Sequence, residues 1–295
     1  MKTPRTRLLA GLVGVSLLAT VLLVVSGAAE GIPGWEGPGW GFAGGDLSSA
    51  HEDAHWEGVP SSSEGETVRW PPVATFSILG YDPETGEVGG AVQSRVFSVG
   101  NGVLWAEANA GVVATQAIVD VSYGPQSLAL LRDGVPPHEV IRRVWESDPD
   151  PRPEDWTREG RQFAVMDAQG EVAAFTGPRA SDWAGHRVAR HVSAQGNILA
   201  GPEVVDRMVE AFEATEGHLS LRLQAALEAG QAAGGDTRGQ QSAAMLIVKE
   251  GGGVWLNNDV VLRLQVDDHP EPITELRRLV ELAAAQRARI RSGSR

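Results

Sequence analysis

From about residue 75 onward, predicted β-hairpins alternate with pairs of amphipathic helices, and this order constrains the fold more than any other feature of the 295-residue chain. The first hairpin turns at Asp82–Gly86, where Pro and Gly occupy positions that turn geometry favours. The second turns at 167–170, and helix pairs are predicted after residues 124 and 202. Because hairpins join antiparallel strands and paired helices cover sheets from outside, the order predicts an α+β fold with antiparallel sheets inside and helices outside.

Individual elements follow from the same pattern. The second strand contains Gly89 and Gly90, and this narrow face predicts close approach by a neighbouring backbone. The last helix begins at Pro272 and is expected to end near residue 284, before a basic tail over 285–295. The predicted strands cover 75–81, 88–93, 102–106, 111–118, 162–166, 171–175, 191–197, 242–248 and 260–266, and the predicted helices begin near residues 124, 136, 202, 219 and 272.

The composition excludes several classes of protein. With 42% hydrophobic and 21% charged residues, the chain fits a globular protein and not a disordered one. Its net charge of -13 argues against nucleic-acid binding, which rewards basic patches. The absence of cysteine excludes disulfides, thiolate metal sites and a cysteine nucleophile. No cofactor is predicted.

The N-terminus has the layout of an export signal. Positive charges at Lys2, Arg5 and Arg7 precede an uncharged apolar run of 18 residues over 8–25, and small residues follow. Residues 1–29 are therefore predicted to be either a cleaved signal peptide or, since the run just reaches spanning length, a retained membrane anchor. Both alternatives predict an exported, extracytoplasmic protein, secreted or periplasmic or anchored, that contacts the membrane only through this segment.

Residues 30–73 are rich in Gly, Pro and Trp and show no lasting period of 2 or 3.6, which predicts a disordered linker. Within it, His51–His55 matches the zinc-protease pattern H-E-x-x-H. That chemistry needs a helix held in a core by an apolar face, and the flanking residues offer little to bury. We interpret the match as chance and predict no metal site. The folded domain is predicted to cover 74–284.

Several short motifs of the body follow one another in the order of a known family. They are Thr75–Ile78, Asp82–Gly86, Ala114–Ala117, Ser122–Pro125, Gln195–Leu199, two stretches within 234–243, and Val266–Pro270. Over roughly residues 74–282 the chain resembles the bacterial and archaeal family catalogued as domain of unknown function 1028. The resemblance implies an N-terminal-nucleophile (Ntn) hydrolase-like fold, a four-layer αββα sandwich with two antiparallel sheets between helix layers. It supplies no reaction, because fold analogy is weak evidence for chemistry.

The resemblance makes Thr75 the candidate nucleophile. In an Ntn hydrolase the first residue of the mature chain attacks the substrate, and its α-amine, with a pKa near ~7.7–8.0, takes the hydroxyl proton. Here that amine is tied into the bond with Ala74, so the mechanism requires cleavage of this bond. Self-cleavage, cleavage by another protease and an inactive relative remain as alternatives. Thr75 is equally explained as an ordinary strand residue.

The other candidate catalytic residues come from the same motifs. Arg95 stands where family members resemble Ser-Lys; arginine keeps the charge but cannot shuttle a proton. Asn197 is a candidate oxyanion donor, and Asp236 and Ser242 are candidates to orient the amine of Thr75. The candidate substrate-binding residues are Thr115, Gln116 and Gln195. Each of these residues also has a structural explanation in an ion pair, a strand or a turn.

Two functions are therefore predicted as alternatives. The first is an Ntn-type amidohydrolase acting on an amide or other C–N bond of a small-molecule or peptide-like substrate, with Thr75 exposed by cleavage after Ala74. The second is a non-catalytic binding or interaction module on an Ntn-like scaffold, tethered at the cell surface. A homodimer is a further expectation, and the acidic charge argues against a nucleic-acid partner.

Overall fold

The computed structural model describes residues 75–181 and 183–293. The predicted export segment, the linker and the motif at His51–His55 lie outside the described residues. The strands are β1 (Thr75–Asp82), β2 (Glu87–Ser94), β3 (Leu104–Glu107), β4 (Gly111–Ala117), β5 (Arg161–Asp167), β6 (Val172–Thr176), β7 (Gly185–Ala189), β8 (Val192–Asn197), β9 (Ser242–Val248) and β10 (Val260–Val266). The helices are α1 (Gly100–Val103), α2 (Tyr123–Arg132), α3 (Pro137–Ser147), α4 (Glu203–Ala214), α5 (Leu219–Ala232) and α6 (Pro272–Gly293).

The strands form two antiparallel sheets. One has six strands in the order β10-β9-β2-β1-β8-β7, and the other has four in the order β3-β4-β5-β6. The first hairpin lies at the middle of the larger sheet, because β1 pairs with β2 on one side and with β8 on the other. The predicted close approach at the narrow strand is confirmed: a Cβ on Gly89 would lie 2.4 Å from the carbonyl oxygen of Leu246.

Three apolar cores separate four layers. The first core lies between the six-stranded sheet and α4, α5 and α6, with Phe76 and Phe212 among its members. The second lies between the two sheets and includes Leu79 and Val112. The third lies between the four-stranded sheet and α2 and α3. The predicted α+β sandwich, with two antiparallel sheets between helix layers, is therefore confirmed.

The central strand β1 serves two of these cores because its side chains alternate between faces. Phe76 and Ile78 belong to the core under the helices, whereas Leu79 belongs to the core between the sheets. Thr75 and Ser77 share the face of Leu79 and therefore point between the sheets. The alternation of this one strand places two hydroxyl side chains at one end of the inter-sheet space.

Three details of the sequence-based prediction were wrong. The segment Gly185–Ala189, which is absent from the predicted strands, forms an edge strand, and its alternating partial exposure gives a weak sequence pattern. The short helix Gly100–Val103 precedes β3, where a strand start was expected. The last helix runs past residue 284 to Gly293, because the tail contains strong helix formers such as Ala, Gln and Arg. No helix within the described ranges is long and apolar enough to cross a membrane.

Candidate functional site

The space between the two sheets has an apolar end and a polar end. The apolar end contains Leu79, Val88, Val92, Val112, Ala164, Met166, Leu246 and Val248. The polar end, which we call the amide cluster, contains Ser77, Gln116, Gln162, Gln195 and Asn197, all buried. Buried polar groups are retained in folded proteins when they are hydrogen-bonded. The hydrogen bonds of this cluster, and those of the threonine at its edge, therefore define what the site can do.

Thr75 is the first residue of β1 and is completely buried. Its Oγ1 donates a hydrogen bond to Ser94 Oγ at 3.2 Å. In the sheet, Thr75 stands between Ser94 of β2 and Asn197 of β8. Cβ atoms of directly opposed residues on antiparallel strands lie roughly 4.5–5.5 Å apart. The threonine hydroxyl thus has a second hydroxyl on one side and an amide on the other.

Gln116 connects the two sheets. From β4 its Oε1 accepts a hydrogen bond from Ser77 Oγ at 2.6 Å, and its Nε2 donates to the carbonyl oxygen of Thr75 at 3.3 Å. Gln195 Nε2 in turn donates to Ser77 Oγ at 2.6 Å. These bonds hold the start of β1 from both sides, so the backbone of Thr75 is positioned by amide side chains.

Gln162 of β5 completes the amide cluster. Its Nε2 donates to the carbonyl oxygen of Gly196 at 2.8 Å and to Thr176 Oγ1 at 2.9 Å. Its Oε1 accepts from Gln116 Nε2 at 2.8 Å and from Asn197 Nδ2 at 3.3 Å. Asn197 Oδ1 is buried and has no hydrogen-bond partner within the described residues. The residue paired with Thr75 therefore carries one acceptor that makes no hydrogen bond within the described residues.

Asp236 is engaged in the loop that carries it and in a contact with the residue that follows β2. Its Oδ2 accepts from the backbone N–H of Arg95 at 3.3 Å and from the Arg238 guanidinium at 3.0 Å. The Arg95 side chain is directed elsewhere and donates to the carbonyl oxygen of Gln240 at 3.0 Å. Asp236 thus reaches the residue next to Ser94, while the charge of Arg95 lies outside the amide cluster.

Two further candidate residues, Ser242 and Thr115, form hydrogen bonds with backbone groups outside the amide cluster. Ser242 Oγ donates to the carbonyl oxygen of Val96 at 2.6 Å and accepts from the N–H of Val99 at 3.0 Å. Thr115 Oγ1 donates to the carbonyl oxygen of Gly102 at 2.8 Å. Thr115 precedes Gln116 in β4 and therefore points to the opposite face of the sheet. Both hydroxyls fix the segment that follows β2.

Comparison with known proteins adds a family to this geometry. A family model described as a family of unknown function, domain of unknown function 1028, matches residues 75–276. The chain belongs to this family. It is similar to the crystal structure of protein SPO2555 from Silicibacter pomeroyi, a member of the same family, at 36% sequence identity and a TM-score of 0.63. That similarity covers 71% of this chain and 89% of the other. No curated protein matches the chain.

The sequence prediction omitted three polar residues of this family member that the structure brings to Thr75. Ser94 bonds its hydroxyl, Ser77 shares its face of β1, and Gln162 anchors the cluster from the second sheet. A signal existed for Ser77, since residues two apart on a strand share a face. Gln162 gave no such signal, because its proximity arises only when the two sheets pack. Of the predicted residues, Gln116, Gln195 and Asn197 do meet in the cluster.

The cluster is almost free of charge. Within the described residues, no group of three or more His, Cys, Asp or Glu side chains is arranged to hold a metal ion. His186 lies at the margin, where its Nδ1 is 2.9 Å from Thr176 Oγ1 and burial lowers the pKa of its imidazole. The chemistry available is that of hydroxyl groups and amide donors and acceptors. A hydroxyl nucleophile in such surroundings needs a base that can accept its proton.

Proposed function

We propose that this chain is an Ntn-type amidohydrolase that hydrolyses an amide or other C–N bond, with Thr75 as nucleophile after cleavage of the Ala74–Thr75 bond. One observation carries the proposal. Thr75, at the polar end of the inter-sheet space, is paired across the sheet with Asn197, whose buried Oδ1 has no partner within the described residues. Membership of the family gives the order of the motifs but not the reaction.

The spare acceptor has a physical meaning in this proposal. A buried acceptor without a hydrogen bond costs about 1–3 kcal/mol. Cleavage before Thr75 would convert an amide nitrogen with one N–H and no basic lone pair into a neutral α-amine with two N–H groups and a basic lone pair, on the residue paired with Asn197. The new donors would satisfy Asn197 Oδ1, so cleavage would both create the base and stabilise its position. In the uncleaved chain, no described residue donates a hydrogen bond to Asn197 Oδ1.

The proposed reaction has two balanced halves. The Thr75 α-amine accepts the proton of the threonine hydroxyl, and Oγ1 attacks the carbonyl carbon of the substrate amide. The C–N bond then breaks, the amine product leaves with that proton, and an ester to Thr75 remains. Water hydrolyses the ester, and the same α-amine accepts the proton of the water and returns it to Oγ1. Asn197 Nδ2 is the proposed oxyanion donor, since its bond to Gln162 is long at 3.3 Å.

The remaining candidates take supporting roles in this proposal. Gln116 and Gln195 are proposed to bind polar groups of a small-molecule or peptide-like substrate, since both reach the start of β1. Asp236 and Ser242 are assigned to positioning the loops beside Thr75. Both side chains are engaged by those loops and act through them. We further propose that the protein works outside the cytoplasmic membrane, on the basis of the N-terminal charge and apolar pattern.

The alternative, a non-catalytic binding module tethered at the cell surface, is favoured by a different observation. Thr75 is completely buried, so a substrate reaches its hydroxyl only after the structure around this residue opens. Arg95 also keeps its guanidinium on the carbonyl oxygen of Gln240 and away from the threonine. A relative that is never cleaved would retain the fold and the amide cluster without an amine base.

Controlled cleavage separates the two functions. In the full chain, Pro71→Ile, Pro72→Glu, Val73→Gly and Ala74→Arg create a factor Xa site whose cleavage makes Thr75 the first residue. We expect a β-lactone probe to add one acyl group to Thr75 of the cut protein and none to the uncut protein, because only the cut protein has the amine base. Intact-mass measurement and peptide mapping report the modified residue.

The matched control is Thr75→Ala in the same background, which is expected to fold nearly unchanged. Equal labelling of the cleaved Thr75→Ala variant and of the cleaved protein that keeps its threonine contradicts the proposal. N-terminal sequencing of the protein from its native host gives a second result. A mature chain that begins at Thr75 supports the hydrolase, whereas one that begins near Glu30 or at Met1 rules out the amine base.

A further inference from the structure

A small apolar cavity is formed by residues that follow β2 and β4 in the chain. It has a volume of about 150 Å³ and is lined mainly by Val96, Phe97, Val99, Val103 and Val119. The lining contains no ionisable side chain. Ligand pockets that hold a whole small molecule are usually larger, roughly 300–1,000 Å³. The cavity therefore has the size of a subsite for one group of a ligand.

Both walls of the cavity continue from strands that contact Thr75. On one side, β2 ends at Ser94, whose hydroxyl accepts from Thr75, and the chain enters the cavity lining two residues later at Val96. On the other side, Gln116 donates to the carbonyl oxygen of Thr75, and Val119 lines the cavity three residues later. The cavity thus lies at the end of the inter-sheet space that carries the threonine.

The walls are tied to the rest of the fold. Ser242 Oγ bonds the backbone of Val96 and Val99, and Thr115 Oγ1 bonds the carbonyl oxygen of Gly102, another lining residue. On the opposite wall, the Val119 carbonyl oxygen accepts from a buried tryptophan indole at 2.9 Å. A cavity whose backbone is held in this way is largely preformed. This gives Ser242 and Thr115, two predicted site residues, a role as positioning residues.

The rim exposes apolar side chains that a bound ligand would cover. Phe97 is 69% exposed and Val121 is 49% exposed. Val121 lies against the cavity, since a Cβ on Gly102 would have Val121 Cγ1 as its nearest neighbour at 3.5 Å. Apolar exposure beside a preformed apolar cavity is typical of a ligand-binding groove.

We propose that this cavity binds an uncharged, apolar, benzene-sized group of the substrate, next to the C–N bond that Thr75 attacks. The inference rests on the proposed hydrolase for the identity of that bond. The size follows from the volume, since an apolar cavity of about 150 Å³ holds benzene. The absence of ionisable lining residues disfavours a charged group, because the lining offers no counter-ion and burying an unpaired charge is unfavourable. The substrate class is therefore an amide with an aromatic or comparably bulky aliphatic substituent.

Three matched amides test this inference on the full, uncut chain. Phenylacetamide carries a neutral ring, acetamide lacks the ring, and malonamate carries a charge in its place. With valine methyl groups labelled for NMR, we expect phenylacetamide to shift the methyl signals of Val96, Val99 and Val103 in a saturable manner. Acetamide and malonamate are expected to leave these signals unchanged at the same concentrations.

Two variants give the binding a location. Gly102→Leu adds a side chain to the cavity wall and is expected to weaken phenylacetamide binding by about tenfold or more. Phe97→Asp places a charge on the rim, and the exposure of Phe97 means that this change should not disturb folding. The variant is expected to weaken phenylacetamide binding to a similar extent. Gly293→Leu, at the end of α6 with open space around it, is the control and should bind as the parent does.

The outcomes separate this inference from the proposed hydrolase. Equal effects of the three amides on the valine signals, or phenylacetamide binding that neither cavity variant weakens, would overturn the inference. β-Lactone labelling of Thr75 without phenylacetamide binding would overturn the cavity's role and leave the hydrolase standing. Phenylacetamide binding without any labelling of cut protein would retain the cavity as a ligand site of the non-catalytic module.

Discussion

Two buried polar clusters on opposite faces of the four-stranded sheet differ in how completely they are satisfied. The first is the amide cluster between the sheets. The second, which we call the charged cluster, consists of Tyr123, Asp148 and Arg161 on the helix side. Arg161 Nε donates to Asp148 Oδ2 at 3.0 Å, and Tyr123 O–H donates to the same oxygen at 2.7 Å. Arg161 also donates to the carbonyl oxygens of Ile118 and Trp156.

The charged cluster shows what a structural polar group requires in this fold. Burial opposes ionisation of Asp148, but hydrogen bonds from Tyr123 and the Asp150 backbone, together with Arg161, hold the pKa of its carboxyl below the usual range. Burial, followed by the bond to Asp148, raises the pKa of the Tyr123 phenol. The amide cluster has no charge, and one acceptor, Asn197 Oδ1, has no partner within the described residues. The charged cluster, whose groups are hydrogen-bonded, stabilises the fold. The amide cluster has an unpaired acceptor that a ligand or the amine formed by cleavage would bind.

The largest expected effect is the loss of the charged cluster. Asp148→Ala leaves the buried guanidinium of Arg161 without its negatively charged partner, which should lower the free energy of unfolding by about 3–5 kcal/mol. Urea unfolding followed by tryptophan fluorescence measures the change. The control is Asp206→Ala, which breaks an exposed pair with Arg187 and should cost less than about 1 kcal/mol. Similar losses in the two variants would show that the charged cluster is not a structural anchor.

The same carboxyl should make stability depend on acid. The ordinary pKa of an aspartate is about 3.9, and the folded value for Asp148 lies lower. The stabilisation that Asp148 provides is therefore fully present above the ordinary aspartate pKa. It is lost as the pH falls through the lower pKa of the folded protein. The free energy of unfolding, measured with urea between about pH 6 and pH 2, is expected to fall less steeply with acid in Asp148→Asn than in the parent. Identical pH profiles for parent and variant would assign the decline to other carboxyl groups.

A smaller loss is expected inside the amide cluster. Gln162→Ala removes the acceptor of Gln116 Nε2 and the donor to the Gly196 carbonyl oxygen, and leaves both buried. The free energy of unfolding should fall by about 1–3 kcal/mol. Gln169→Ala, at an exposed turn, is the matched control and should have little effect. If Gln162→Ala costs as much as Asp148→Ala, the contrast between the two clusters fails.

The smallest effect is expected at the spare acceptor. Asn197→Ala removes one long hydrogen bond to Gln162, together with an oxygen that has no partner within the described residues. Because an unsatisfied buried oxygen is itself unfavourable, the net cost should be roughly 1 kcal/mol smaller than that of Gln162→Ala. The two variants are compared in the same urea experiment. An equal or larger cost for Asn197→Ala would mean that its oxygen is satisfied in solution.

Local pattern was sufficient for much of the fold but for only part of the candidate site. The hairpin at Asp82–Gly86 and the helix stripes were predictable because turn residues and apolar spacing are read within a few positions. Gln116 and Asn197 entered the prediction because they lie in recognisable motifs. Gln162 did not, since one glutamine at the start of a strand looks like any other. Thr115 was placed beside Gln116 by adjacency, although neighbouring strand residues face opposite ways.

The sequence by itself determined the family, the hairpins and the paired helices, and that Thr75 and Ser77 share one face of β1. These properties depend on spacing within single elements. Only the tertiary structure decided that Gln116 and Gln162 of one sheet meet the start of β1 in the other, and that Ser242 and Thr115 hold a cavity wall. Such contacts depend on how the two sheets pack against each other, and that arrangement is set by the packing of all the side chains in the core between them.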